Sequence, residues 1–202
     1  MKRRLLLSSL LAAPVAARAG AQVEEPLADS MRSALSASIA QAAPPRPKFE
    51  ASQVDARLAY LQWLGAMSER LKKRKTETQI RIEFLETVWY EAKRAGLEPS
   101  LVLGLVQVES GFRKYAISIA GARGYMQVMP FWAKLIGDGD AASLFHMQSN
   151  LRFGCVILRH YLDREKGDMY LALGRYNGSR GKPEYPNAVF AARRQWLLPG
   201  EK

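Results

Sequence analysis

The stretch LVLGLVQVESGFRKYAISIAGARGYMQVMP, residues 101–130, is the part of the chain from which the rest can be interpreted. It opens with an apolar run over 101–108, in which Gly104 and Gln107 are the non-hydrophobic residues. A segment that is apolar nearly all round predicts a central, buried helix. Glu109 stands at the end of this run, and a carboxylate there is costly unless something uses or satisfies it. The stretch therefore predicts a buried helix that ends on a candidate chemical group.

Composition and charge restrict the classes of protein that fit. The chain has 202 residues, with 48% hydrophobic and 24% charged residues, as in a globular protein of one domain with extensions. One cysteine excludes an intrachain disulfide, and with two histidines it leaves no metal-ligand cluster, so neither a metal nor another cofactor is expected. The formal net charge of +11 predicts attraction to polyanions such as lipid headgroups, cell-wall polymer or nucleic acid.

The first 21 residues have the pattern of a signal peptide. Three basic residues at 2–4 precede a short apolar run over 5–15, and A-x-A cleavage patterns end at Ala19 or Ala21. Removing four basic residues with this segment leaves 26 basic against 19 acidic residues, a net charge of +7. We therefore expect an exported protein without a transmembrane anchor after cleavage; an uncleaved N-terminal anchor is the alternative.

Residues 22–51 are rich in Ala, Ser, Pro and Gln and predict a flexible linker, with only a weak helical pattern over 28–40. Beyond it, apolar residues recur at helical spacing and no period-2 alternation is present. The pattern predicts an all-α domain over 52–198, with helices over 53–74, 77–95, 99–110, 127–137, 150–165, 169–175 and 186–197. Helix starts are predicted from candidate capping residues at Ser52, Thr76, Asp168 and either Ser149 or Asn150.

Glu109 taken alone allows two interpretations. Desolvation at the end of an apolar helix would raise its pKa and make it a proton donor near neutral pH. Alternatively, it is a helix-end glutamate that pairs with Arg113 or Lys114. The functional interpretation gains support from small residues and amide or hydroxyl groups in nearby motifs, a combination that suits a sugar site.

Four motifs occur in order along the chain: ESGF at 109–112 followed by Ser118, AGARGYMQVMP at 120–130, NLRFG at 150–154, and YNG at 176–178. Together they resemble the soluble lytic transglycosylase (SLT) domain, which belongs to glycoside hydrolase family 23 and the lysozyme-like superfamily. The resemblance covers about 85–195. It implies a lysozyme-like helical fold with a substrate groove.

The resemblance also implies an activity. The family cleaves the β-1,4 bond between N-acetylmuramic acid and N-acetylglucosamine in peptidoglycan and leaves a 1,6-anhydromuramic end. It implies that Glu109 is the sole catalytic acid and base, and that substrate is bound by Ser118, Gln127, Met129, Tyr176 and Asn177. Glycosidases commonly use two carboxylates, whereas no acidic residue lies between Glu109 and Asp138. This spacing fits an intramolecular nucleophile. Two departures from the family pattern are Tyr125, where leucine is usual, and Gly174-Arg175, where alanines are usual.

Two other functions are compatible with the same motifs. A goose-type-like hydrolase on the same fold would need a second carboxylate, for which Asp138 and Asp140 are the candidates. A non-catalytic scaffold could keep the groove and bind peptidoglycan strands. Cell-wall or secretion machinery is a candidate partner of the linker. Nucleic acid is not an expected partner, because the basic residues do not form a recognisable binding module.

Overall fold

The structure of the protein is a computed structural model, described here for residues 22–40 and 47–201. Within these ranges the chain forms eight α-helices and two short 3-10 helices, and the only β pairing consists of isolated bridges that join Arg123 to Ile117 and to Val128. The α-helices are α1 (Asp29–Ile39), α2 (Val54–Leu71), α3 (Thr78–Arg94), α4 (Pro99–Glu109), α5 (Pro130–Ile136), α6 (Met147–Arg164), α7 (Met169–Tyr176) and α8 (Glu184–Arg193). The 3-10 helices are Ala141–Phe145 and Arg194–Trp196. The predicted all-α class is confirmed.

Helix α4 is the centre of the domain, as its apolar sequence predicts. Residues 99–106 are all buried, and α3, α8 and the C-terminal 3-10 helix pack around them. Gly104 allows α8 to come close, since a Cβ at this position would lie 2.6 Å from the Arg193 backbone nitrogen. The glycine in an otherwise apolar helix is therefore explained by helix packing.

The loop after α4 is fixed to the domain by polar contacts. Ser110 Oγ donates a 2.7 Å hydrogen bond to the Tyr125 carbonyl. Asn150 lies fully buried within α6, where its Oδ1 accepts from the Met126 N–H at 2.8 Å. Gly124 has φ +74°, and a Cβ there would lie 2.4 Å from Asn150 Nδ2. These contacts hold residues 124–126 against α6.

The predicted helix ends are close to the observed ones, but several predicted caps are wrong. The N-caps of α2 and α3 are Gln53 and Glu77, and neither makes a side-chain capping bond. Helix α6 begins at Met147, so neither Ser149 nor Asn150 is its cap. Asn150 is used instead to hold the neighbouring loop. Asp168 caps α7 as predicted, because its side chain accepts from the Leu171 N–H.

Residues 22–40 are folded against the domain, which corrects the linker prediction for this part of 22–51. Helix α1 packs on α5 and α6, and its residue Leu35 is buried. Arg94 donates to the Ser38 carbonyl and Arg152 to the Ile39 carbonyl. Two arginines thus bind the C-terminal end of α1, where the helix dipole favours cations. A prediction made from the low apolar content of this segment does not detect polar contacts of this kind.

The predicted signal peptide, residues 1–21, lies outside the described residues. Residues 41–46 lie outside them as well. Within the described ranges, no helix has the length and apolar character needed to cross a membrane.

Candidate active site

Glu109 is the last residue of α4 and is 4% exposed. Its Oε1 accepts a hydrogen bond from the Tyr185 hydroxyl, and its Oε2 is buried without a hydrogen-bond partner among the described residues. The alternative of a helix-end ion pair is not observed there: Arg113 donates to the Ser110 carbonyl at 2.9 Å, and the Lys114 ammonium lies over the Tyr115 ring. The carboxyl group is therefore buried without a cation beside it in the described structure.

These surroundings determine the protonation state of Glu109. Burial disfavours the charged carboxylate and raises the pKa of Glu109 to about 8, although the hydrogen bond from Tyr185 acts in the opposite direction. At neutral pH the group is mostly protonated and can donate a proton. No second carboxylate in the described part of the chain contributes to this shift.

Tyr185 was not predicted as a site residue. It lies in the first turn of α8, one residue before Pro186, at which the sequence pattern predicts the start of the last helix. The buried positions Tyr185, Val189 and Ala192 follow one another at helical spacing and face α4. This periodicity is the signal that could have placed the tyrosine on the face of α8 next to Glu109. Burial and the neighbouring Glu109 together raise the pKa of Tyr185 well above its ordinary value.

Tyr176, at the end of α7, is fully buried close to Glu109. Its hydroxyl donates a 2.8 Å hydrogen bond to the Met126 carbonyl, so it bonds the loop and not the acid itself. Burial raises the pKa of Tyr176 well above its ordinary value, and the charge of Glu109 adds to this rise. Asn177 caps α7; its Nδ2 donates to Ser179 Oγ at 3.1 Å, and its Oδ1 is buried without a partner among the described residues.

The remaining predicted site residues lie in the loop between α4 and α5. Ser118 is half-buried, and its Oγ accepts from the Ala122 N–H at 3.1 Å. Gln127 is buried with φ +49°, and its Nε2 donates to the carbonyls of Ala116 and Gly124 at 3.1 and 2.9 Å. Both side chains stabilise the loop's own turns.

Met129 is half-buried and packs its side chain against the core. Its backbone N–H donates to Oε1 of Gln22 at 3.3 Å, a contact with the segment that precedes α1.

Comparison with known proteins decides the family. Residues 86–195 match the transglycosylase SLT domain family. The chain belongs to this family. It is 38% identical over 114 residues to membrane-bound lytic murein transglycosylase C of Actinobacillus pleuropneumoniae. This matching region covers 49% of this chain and 31% of that protein. The corresponding protein of Haemophilus influenzae is 47% identical over 114 residues and covers 49% of this chain and 32% of its own length.

A phage protein and a solved structure are also similar. The transglycosylase of Enterobacteria phage PRD1 is 35% identical over 104 residues, covering 52% of this chain and 38% of the phage protein. The X-ray structure of an inactive mutant of lytic transglycosylase Slt from Pseudomonas aeruginosa is 28% identical, covers 72% of this chain and 24% of that one, and has a TM-score of 0.43. The chain spans about a third of the length of the curated relatives it matches. The family resemblance inferred from the four motifs is confirmed.

The first departure from the usual SLT pattern, Tyr125, has a structural explanation. Tyr125 is 1% exposed, and its hydroxyl accepts a 2.7 Å hydrogen bond from Lys75 Nζ. The ammonium lies 4.4 Å from the centroid of the Tyr125 ring. Burial lowers the pKa of Lys75 to about 8. The tyrosine thus stands in place of leucine where Lys75, in the segment between α2 and α3, needs a hydrogen-bond partner.

The second departure places charge beside the site of this SLT domain. Gly174 fits because a Cβ there would lie 3.0 Å from Arg180 Cα. Arg175 donates to Glu165 Oε1 at 2.7 Å and to Glu25 Oε1 at 2.8 Å. Hydrogen bonds from Arg180 and then Arg175 hold the pKa of Glu165 at about 2. A network of charges therefore includes Arg175, the residue that precedes Tyr176 in α7.

Proposed function

We propose that this SLT domain is a peptidoglycan lytic transglycosylase that cleaves the MurNAc-β-1,4-GlcNAc bond and forms 1,6-anhydromuramic ends. The observation that supports the activity most directly is the state of Glu109. It is a buried carboxylic acid with a pKa of about 8, and no second carboxylate in the described residues influences it. One acid that is protonated at neutral pH suits a reaction in which the nucleophile belongs to the sugar.

The proposed reaction uses Glu109 twice. As an acid, it protonates the glycosidic oxygen while the bond from that oxygen to C1 of the muramic sugar breaks. As a carboxylate, it then takes the proton from the 6-hydroxyl as this oxygen bonds to C1. The second step returns Glu109 to the protonated form, so the cycle needs neither water nor a cofactor. The hydroxyl of Tyr185 stabilises the carboxylate between the two steps.

The remaining groups are proposed to bind the glycan strand. Asn177 Oδ1 is buried and has no partner in the described structure, so it can accept a hydrogen bond from a sugar hydroxyl or amide. Met129 supplies a backbone N–H, and the Tyr176 hydroxyl fixes the loop that leads to it by binding the Met126 carbonyl. Ser118 and Gln127 contribute by fixing the loop between α4 and α5.

Two carboxylates were candidates for a water-activating base, and both serve the loop after α5. Asp138 Oδ1 accepts from the Asp140 N–H at 2.9 Å, and Asp140 Oδ1 accepts from the Ala142 N–H at 2.8 Å. Both residues are exposed. These contacts favour the transglycosylase over the goose-type-like hydrolase.

We further propose that the protein acts in the periplasm or cell envelope, after export by the signal peptide predicted at 1–21. The relatives include proteins named as membrane-bound lytic murein transglycosylases, which is consistent with an envelope location. A net charge of +7 without the signal region favours association with anionic cell-wall polymer. Cell-wall or secretion machinery stays a proposed partner.

The experiment is mass spectrometry of the muropeptides that the protein releases from purified peptidoglycan. We expect anhydromuramic products from the wild type and a loss of about 10²- to 10⁴-fold for Glu109→Gln. Glu69→Gln, an exposed carboxamide substitution on α2, is the matched control and should keep full activity.

Three results would contradict the proposal in different ways. Reducing muramic ends would identify a hydrolase. Binding without any released product would identify a scaffold. Full activity of Glu109→Gln would remove Glu109 from the chemistry.

A further inference from the structure

The segment 22–25, which precedes α1, lies against the candidate active site. Gln22 is 5% exposed, and its Oε1 accepts the Met129 N–H at 3.3 Å. The Gln22 side chain is also close enough to the Tyr176 hydroxyl to counteract the rise in the pKa of Tyr176. A carboxamide from the chain's own N-terminal part thus occupies a backbone donor at the site.

Three residues later, Glu25 pairs with Arg175, the residue that precedes Tyr176 in α7. Its carboxylate bridges two arginines, Arg175 at 2.8 Å and Arg164. The Arg175 side chain is 19% exposed and also pairs with Glu165, which Arg180 shares. Without Glu25, Arg164 would lose the carboxylate with which it pairs, and Arg175 would share Glu165 with Arg180. The arrangement is therefore a carboxylate-binding site that a carboxylate already fills.

The contacts of 22–25 are those of a ligand that can leave. Val23 and Glu24 are exposed, and no regular structure joins Glu25 to Asp29. Helix α1 is held separately, by Arg94 and Arg152 at its C-terminal end. Because the segment has few buried contacts, it can open locally while α1 remains docked. A tethered group of this kind competes with a free ligand through its high effective concentration.

We propose that Arg164 and Arg175 form a subsite for a carboxylate of the peptide attached to the glycan, and that Glu25 occupies this subsite until the substrate displaces residues 22–25. The proposal rests on the proposed function, since peptidoglycan carries both kinds of group that the segment presents. Its sugars carry N-acetyl amides, like the Gln22 carboxamide, and its stem peptides carry free carboxylates, like Glu25. Arg175, where the family usually has alanine, is then a specificity-determining residue.

The test measures binding by the whole chain in a Glu109→Gln background, so that no bond is cleaved. The two probes are glycan fragments that carry their stem peptides and the same fragments with the peptide carboxylates converted to primary amides. We expect Glu25→Gln to bind the fragments with free carboxylates about three- to tenfold more tightly, since a competing carboxylate is gone, and to bind the amidated fragments with little change. Arg175→Gln should weaken binding of the fragments with free carboxylates alone.

Glu24→Gln is the matched control, because Glu24 is the exposed neighbour of Glu25 and loses the same charge. It should bind both probes as the parent does. If Glu25→Gln strengthened binding of both probes equally, residues 22–25 would cover the site without any recognition of a carboxylate there. That result would overturn the proposed subsite. Unchanged binding of both would overturn the competition. Either result with normal release of anhydromuramic products by the wild type leaves the proposed function intact, whereas absent release and absent binding would remove both.

Discussion

Two buried glutamates on neighbouring helices have opposite surroundings. Glu91 on α3 is 1% exposed and accepts hydrogen bonds from Arg94 at 3.0 Å and Arg152 at 2.9 Å. Glu109 on α4 is 4% exposed and accepts one from the Tyr185 hydroxyl, while its second oxygen has no partner among the described residues. The two side chains are equally buried, so burial does not distinguish them.

The partners distinguish the two carboxyl groups. Two arginines pair with the Glu91 carboxylate, and the same arginines bind the end of α1. The cluster joins α1, α3 and α6 and has a structural role. Among the described residues, the donor to Glu109 is the neutral Tyr185 hydroxyl alone, and burial raises the pKa of Glu109 to about 8 and keeps it protonated at neutral pH. A buried carboxyl group becomes a candidate acid when no cationic side chain lies beside it.

The first way to break this comparison is to remove the charge of Glu91. Glu91→Gln leaves Arg152 buried beside a neutral amide, and we expect the free energy of unfolding to fall by about 3–5 kcal/mol. Release of muropeptides per folded molecule should stay close to that of the wild type. Urea unfolding and the activity assay, with Glu69→Gln as control, measure the two effects. A large loss of activity without a loss of stability would give Glu91 a role that its contacts do not explain.

The second test changes Glu109 and measures stability instead of activity. The folded-state pKa of about 8 lies above the ordinary value of 4.5. Between these pH values the folded protein holds a proton that the unfolded chain has released, so the free energy of unfolding falls as pH rises through the window. This loss, on the order of a few kcal/mol, is absent in Glu109→Gln. We therefore expect the variant to gain stability relative to the wild type as pH rises from 5 to 8.

Urea unfolding at several pH values checks this prediction. Parallel curves for Glu109→Gln and the wild type would contradict it, because they would mean that Glu109 titrates alike in the folded and unfolded states. Glu91→Gln provides the contrast, since its destabilisation has a different origin, the loss of two ion pairs.

The same contrast explains how much could be predicted from the sequence. An apolar run that ends in a carboxylate is a local pattern, and it predicted the central helix α4 and the desolvation of Glu109. The family motifs predicted Tyr176 as a site residue, and the structure places it near Glu109. Whether a buried glutamate has a cation beside it depends on residues far along the chain, such as Arg152 for Glu91. No spacing rule within one helix contains this information.

The residues that sequence reasoning missed all act through long-range contacts. Tyr185 reaches Glu109 from a helix 76 residues later. Gln22 and Glu25 reach Met129 and Arg175 from a segment whose composition predicted a linker. The polar side chains of this segment bind backbone and arginine groups of the folded domain. The composition of the segment cannot show where those groups lie.

The smallest expected effect comes from the hydrogen bond that Glu109 accepts from the Tyr185 hydroxyl. This bond lowers the pKa of Glu109, and Tyr185→Phe removes it. The pKa of Glu109 should therefore rise further in the variant, by about one unit for a bond to a charged group. Because the proposed first step needs the protonated acid, the activity of the wild type should fall above about pH 8, and in Tyr185→Phe this fall should shift to higher pH.

Tyr176→Phe is the matched control, since it removes a buried hydroxyl that bonds the Met126 carbonyl and not Glu109. It should change the rate and leave the position of the alkaline limb in place. Equal shifts in both variants would mean that the limb reports the general loss of a buried hydroxyl, and no shift in either would mean that the group titrating there is not Glu109.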